Sequence, residues 1–196
     1  MEITNFKKKN NIVSFTIKGI NIAMANAIRR AIITNVPIAA IEKVTIDKNS
    51  SALADEILAH RLGLIPLKTD LNFVDTTLLL EVECNNSNEL KTVYTSDLKS
   101  SNPDIVPVYD NIPIVKLSKG QEIKLECTLQ LGKGREHAKW QGGLASYEAD
   151  ENENDKFNFF IESYGQMDAD GLINAACDEL IKENRKFKNY VSANTK

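Results

Sequence analysis

Cysteine, histidine and tryptophan are scarce in this chain. Among 196 residues there are three cysteines (Cys84, Cys127, Cys177), two histidines (His60, His137) and one tryptophan, Trp140. The cysteines are odd in number, far apart and form no C-x-x-C pair. That excludes a disulfide framework and places the chain in a reducing cytosol. Glu56 and His60 share a helix face at i, i+4, a spacing a metal site can use. No further Cys/His cluster completes one, so no metal ligand is assigned. Long apolar runs are missing as well. The start, Met1 to Lys9, lacks an apolar signal core. The most apolar helix is interrupted by Arg29 and Arg30 and is too short to span a bilayer. Neither sign of charge is in excess: 24 Lys+Arg against 27 Asp+Glu give a net charge of −3. This removes any bulk electrostatic pull toward nucleic acid. There is no G-K-[ST], no nucleophile elbow and no internal repeat. No acid or base stands out among the scattered carboxylates, so no catalytic residue is assigned.

What is present is the composition of a folded protein, 42% apolar and 26% charged. The length suffices for a sizeable core in one or two domains. Asparagine is abundant, which weighs against a hyperthermophilic source.

The most informative segment runs from Asn21 to Ile33. Met24, Ala27, Ile28, Ala31 and Ile32 form an apolar stripe at 3/4 spacing. Asn26, Arg29 and Arg30 lie opposite, but Ile22 and Ile33 fall among them. Bulky isoleucines flanking two arginines predict that this face is also covered, by another chain. The arginine pair could hold phosphates, yet on an apolar helix it fits carboxylates at an interface better.

Alternation of Val13, Phe15 and Ile17 with polar residues predicts a strand over 11–18. Asn21 is the expected N-cap of the helix, which stops before Pro37. Residues 38–47 read as extended. Ser50 and Ser51 offer N-caps for a second helix, 52–62, which Gly63 and Pro66 close. Leu78 to Val82 is a candidate buried strand, and 85–113 reads as loops with short extended pieces. The cleanest strand covers Ile123 to Leu131, where apolar and polar residues alternate strictly. Residues 132–156 read as a polar loop ending in an acidic run. Phe157, Phe159 and Ile161 mark another strand. A last helix is predicted over 168–190, opening with Asp168 and Asp170 at its positive end. Leu172, Ile173, Ala176, Cys177, Leu180, Ile181, Phe187 and Tyr190 share about half its wheel.

Gly132-Lys133-Gly134-Arg135-Glu136-His137 looks like a phosphate loop at first sight. The third glycine is missing and no helix follows, so a nucleotide site there is a minor alternative. Trp140, beside His137 and Lys139, fits either a local core plug or an interface anchor.

Taken together, four segments resemble the alpha-like subunits of multisubunit RNA polymerases. They are Asn26-Ala27-Ile28-Arg29-Arg30-Ala31 with the Val36–Ile41 strand, Asp55-Glu56-Ile57-Leu58-Ala59-His60-Arg61-Leu62-Gly63-Leu64-Ile65-Pro66-Leu67, His137-Ala138-Lys139-Trp140, and Glu162-Ser163-Tyr164-Gly165. They occur in the family's order across nearly the whole chain, and most resemble the archaeal D-type branch. The resemblance implies an α+β fold. Residues 1–46 and 156–196 would form a discontinuous dimerisation domain, a small antiparallel sheet with two helices. An inserted α+β domain would span 47–155. It implies a non-catalytic assembly subunit in transcription, located in the cytoplasm and meeting DNA only through the complex. The implied partners are the smaller subunit L in a heterodimer, the second-largest catalytic subunit, and the small zinc-binding subunits N and P. Ile22, Met24, Ile28, Ile32, Ile173, Cys177, Leu180 and Phe187 are then the expected dimer residues. Arg29, Arg30, His60, Arg61, His137, Lys139 and Trp140 are expected to dock a large subunit.

Some family members carry an iron–sulfur module or a zinc loop in the insert. Here the insert holds Cys84 and Cys127 alone, too few for a cluster or a tetrahedral zinc. The expectation is the short form without a metal, and without the C-terminal DNA-binding domain of bacterial alpha. A self-associating alpha-like scaffold remains the alternative, because homodimer and heterodimer seams use the same residue types.

Overall fold

The computed structural model describes residues 1–70, 76–85 and 90–195. The chain divides into two units: Met1–Pro37 with Lys133–Lys196, and Ile38–Gly132. The termini therefore fold together around an insert. Both boundaries lie earlier in the chain than expected, so residues 38–46 fall in the insert and 133–155 in the terminal unit.

The terminal unit is a four-stranded sheet with two helices on one face. Its strands are β1 (Glu2–Lys9), β2 (Ile12–Lys18), β9 (Gly143–Ala149) and β10 (Lys156–Ser163), in the order β1-β2-β10-β9. All neighbours are antiparallel. The inner face carries Val13, Phe15, Ile17, Phe157, Phe159 and Ile161, all buried. Phe15 stacks on Phe159 at 5.4 Å between centroids. Helices α1 (Ile22–Thr34) and α3 (Ala169–Asn194) supply Ala25, Ile28, Ala31, Ile32, Leu172 and Ala176 to this core. Asn21 caps α1 as expected, its side chain accepting a hydrogen bond from Met24 N at 2.9 Å.

Two strands escape the sequence reading. In β1 the register shifts between Thr4 and Lys7, and Asn5 takes φ +54°. This bulge destroys the period-two pattern, so Ile3 and Phe6 share the inner side although two polar residues separate them. Of the inward positions of β9, Gly143 and Ala145 are small and Tyr147 alone is large, its ring meeting Phe157 and Phe159. Small residues suit a site where a helix crosses closely. A Cβ on Gly143 would lie 2.3 Å from the Glu162 carbonyl oxygen and 3.1 Å from Leu172 Cδ1. The apolar signal is therefore weak, and 132–156 reads as a loop although 143–149 is a strand. The acidic run is also partly structured: Lys156 bridges Asp150 at 2.9 Å and Glu153 at 3.3 Å.

The insert holds a second sheet ordered β3-β8-β4-β6, formed by β3 (Pro37–Asn49), β4 (Thr77–Glu83), β6 (Lys99–Ser100) and β8 (Glu122–Lys133). A two-stranded ribbon pairs β5 (Lys91–Tyr94) with β7 (Pro113–Leu117). The 85–113 stretch thus yields short strands as expected, with residues 86–89 outside the described ones. Helix α2 (Asp55–Gly63) presses Leu58 and Leu62 into this core, both fully buried. It begins later than 52, and neither Ser50 nor Ser51 caps it. Ala54 stands at the cap without a side-chain bond. The serines are used differently: Ser51 bonds Asn49, and Ser50 bonds the backbone of Glu122.

Candidate docking surfaces

In the terminal unit the dimer residues inferred from sequence separate into two groups. Ile32 is fully buried and Ile28 is 9% exposed, so both pack in the chain's own core. The inward side of α1 is Ala25, Ile28, Ala31 and Ile32; Met24, placed in the 3/4 stripe by its spacing, does not share it. Ile22 and Met24 do face outward, 64% and 46% exposed.

Helix α3 begins in the core and continues past it. Leu172 and Ala176 are buried, Ile173 and Leu180 are half-buried, and Cys177 is exposed. From Asn184 onward every described residue of the helix is exposed. The apolar stripe nevertheless continues through Phe187, Tyr190 and Val191, with Ile181 toward its flank. Beyond Leu172 and Ala176 the same side of α3 is tied to the start of residues 133–196. Glu179 pairs with Lys133 and, at 3.1 Å, with Lys182, while Glu183 lies 3.7 Å from Arg135. Burial raises the Glu179 carboxyl, but its bonds to Lys133 and Lys182 outweigh this and hold it below its ordinary value. Sequence reading missed the apolar edge of β1. Ile3 and Phe6 are more than half exposed, and Phe6 stacks on Phe15 at 6.1 Å.

The arginine pair of α1 also divides. Arg29 is half-buried and held by Asn26, whose Oδ1 accepts from Nη2 at 2.9 Å and Nε at 3.2 Å. Arg30 is exposed.

The signature 137–140 forms a short 3-10 turn over Ala138–Trp140. His137 Nδ1 accepts from Lys139 N at 3.1 Å and caps the turn. The Lys139 ammonium sits 4.6 Å above the Trp140 ring, and the His137 ring meets the same indole edge-on at 6.5 Å. Trp140 is 6% exposed, which puts it in the core of its own unit. His137 remains at the surface. The signature 162–165 lies against this turn: Tyr164 N donates to Gly142 O at 3.0 Å and Gln166 Nε2 to Gln141 O at 3.3 Å. Gly165 adopts φ +95°, which permits the sharp entry to α3.

The glycine-rich segment is structural. A Cβ at Gly134 would lie 2.3 Å from Ile33 O, and Lys133 is committed to Glu179. A three-residue turn follows, with no helix N-terminus to face a phosphate.

In the insert, α2 exposes Ile57, His60 and Arg61, and Leu64 follows at its end. Arg61 donates from Nε to Ile114 O at 3.0 Å and from Nη2 to Pro113 O at 2.6 Å. Among the described residues no group of three His, Cys, Asp or Glu side chains is placed to hold a metal ion. Cys84 and Cys127 are buried, and burial pushes the Cys127 thiol up to about 12. No helix among the described residues is long and apolar enough to cross a membrane.

A sheet with two helices on one face, built from both ends of the chain and interrupted by an α+β insert, defines an alpha-like polymerase-subunit architecture. The family model described as RNA polymerase Rpb3/RpoA insert domain matches residues 44–146. Among curated relatives, DNA-directed RNA polymerase subunit Rpo3 of Methanocaldococcus jannaschii is 45% identical over 170 residues. That match covers 85% of this chain and 83% of the relative. Rpo3 of Methanosphaera stadtmanae is 37% identical, covering 94% and 75%. Rpo3 of Pyrococcus furiosus is 42% identical over 155 residues, covering 75% of this chain. The chain belongs to the Rpo3 family of archaeal RNA polymerase subunits, the D-type branch of the alpha-like subunits. Its match spans 58% of the Pyrococcus furiosus protein and 59% of the Pyrococcus horikoshii one.

Proposed function

We propose that the chain is a non-catalytic assembly subunit of DNA-dependent RNA polymerase. In this reading the terminal unit pairs with subunit L, and the heterodimer then docks the second-largest catalytic subunit and the small subunits N and P. DNA is met only through the complex, which works in the cytoplasm. The observation that carries the reading is the apolar stripe of α3, which leaves its own core and continues, exposed, through Phe187 and Tyr190, both 70% exposed. Aromatic residues on an otherwise solvated helix are expensive unless a partner covers them. The revised dimer surface combines this stripe with Ile22 and Met24. Among the described residues no acidic cluster is placed to hold the metals of nucleotidyl transfer, and the proposed contribution is positioning. With Cys84 and Cys127 as the insert's only cysteines, the subunit is proposed to be of the short, cluster-free form.

Co-expression with a candidate L subunit, followed by gel filtration with light scattering and metal analysis, tests this. A metal-free 1:1 heterodimer is expected. A stable monomer or homodimer that ignores L would refute it.

A further inference from the structure

Beside the C-terminal end of α2 lies a groove of about 200 Å³ lined by Arg61, Leu64, Ile65, Ile112, Pro113 and Ile114. Apart from Arg61, its lining residues are all aliphatic. An apolar space of about 150 Å³ is enough to take a benzene ring. This one therefore has room for a single large aliphatic or aromatic side chain.

Two features mark the groove as unfinished. Leu64 at its lip is 50% exposed, and Ile57 on the same side of the helix is 52% exposed. Arg61, at i+4 from Ile57, lies between them. Its guanidinium is anchored by the carbonyl oxygens of Ile114 and Pro113. Those two neutral acceptors hold the guanidinium beside the groove without neutralising it. No carboxylate among the described residues forms an ion pair with it. A fixed, planar cation beside a hydrocarbon wall recognises a carboxylate bidentately. Nucleic acid fits less well, because the walls are aliphatic and Asp55 and Glu56 stand on the same exposed helix.

We infer that this groove receives a partner-protein segment carrying one large apolar residue next to an aspartate or glutamate. The apolar side chain fills the space between Leu64 and Ile114, and the carboxylate closes on Arg61. The inference rests on the subunit reading and adds the chemistry of the segment that the insert grips.

The test uses the full chain with p-benzoylphenylalanine at position 64, assembled with its cognate polymerase subunits and irradiated. A crosslink to a protein segment in which an apolar residue lies within two positions of a carboxylate is expected. Arg61→Glu should then weaken capture of that subunit by at least about tenfold, and reversing the mapped carboxylate to lysine should restore it. Leu64→Asp should give the same loss without changing the melting of the lone chain or its pairing with L. This second variant covers the case in which Arg61→Glu disturbs β7. Normal assembly of both variants would overturn the inference and leave the subunit reading standing. So would a crosslink to nucleic acid, or to a segment without a carboxylate. Failure of the unmodified chain to assemble with any cognate subunit would overturn the subunit reading and this inference with it.

Discussion

Replacing Phe187 and Tyr190 should separate stability from partnership. Each is 70% exposed in the lone chain, whereas Ile32 is fully buried. An aromatic side chain buries about 150–250 Å² when fully enclosed. At roughly 25 cal/mol per Å², covering the exposed part of one ring gives about 2.5–4.5 kcal/mol gross. Side-chain ordering removes a share of that. Phe187→Ser should therefore weaken heterodimer formation by roughly 2–3 kcal/mol, about 30- to 150-fold in Kd. Urea unfolding of the lone chain should stay within about 0.5 kcal/mol of the parent. Ile32→Ala should do the reverse, lowering the chain's own stability by about 2–5 kcal/mol through a core cavity. Pairing would suffer only as far as the fold does. Isothermal titration against L and urea titration of each variant give both numbers. If Phe187→Ser costs as much folding stability as Ile32→Ala, the end of α3 packs on its own chain and the reasoning fails. If neither stability nor affinity moves, the stripe is not the partner face.

Three further outcomes are expected. Gly134→Ala should lose about 1–3 kcal/mol in urea titration, because its Cβ would lie 2.3 Å from the Ile33 carbonyl oxygen, a backbone atom that cannot swing aside; an unchanged midpoint would show that the approach is not tight. Glu179 has a folded pKa below its ordinary 4.5, so its contribution is complete above that value and is lost as pH falls through the lower folded one. Lys133→Met removes its partner and should move the acid-unfolding midpoint upward, and a midpoint that stays put would assign the pair no role. Ellman's reagent should modify the exposed Cys177 in the native chain and reach Cys84 and Cys127 only after unfolding. Its rate at Cys177 should be below that of a free thiol, since partial burial and then Asp178 raise that thiol. Pairing through α3 should slow it further, and a rate that L leaves unchanged would place the seam elsewhere.

Much of this fold was legible because alternation and capping are local. The strict pattern from Ile123 to Leu131 became β8, and Asn21 capped α1 by the expected bond. Strand β1 was hidden by a bulge, and β9 by glycine and alanine where larger apolar residues normally stand. Helix boundaries slipped where a serine had a tertiary partner to serve instead of a cap. The candidate site was half legible. Periodicity identifies an apolar stripe but not whether it faces home or away, and so Ile28 and Ile32 were assigned outward. Their burial depends on a sheet whose strands lie far apart in sequence. For Phe187 and Tyr190 the deciding fact is where the core stops, which no helical wheel contains. Trp140 was undecided by composition, and its seat beneath Lys139 is a product of the turn that His137 caps.

The sheet of the terminal unit joins Ile17 to Phe157, about 140 positions later in the chain. At 5–20 residues per second, a ribosome needs roughly 7–28 s to travel between those two strands. During that interval the insert has all its residues and can close its core, while β2 and α1 hold an apolar face with nothing to lie on. The unit proposed to greet L comes into being only after β10 and α3 have been made. Synthesis order therefore sets the order of assembly: a chain that ends before β10 and α3 lacks the strand and helix that complete the terminal unit.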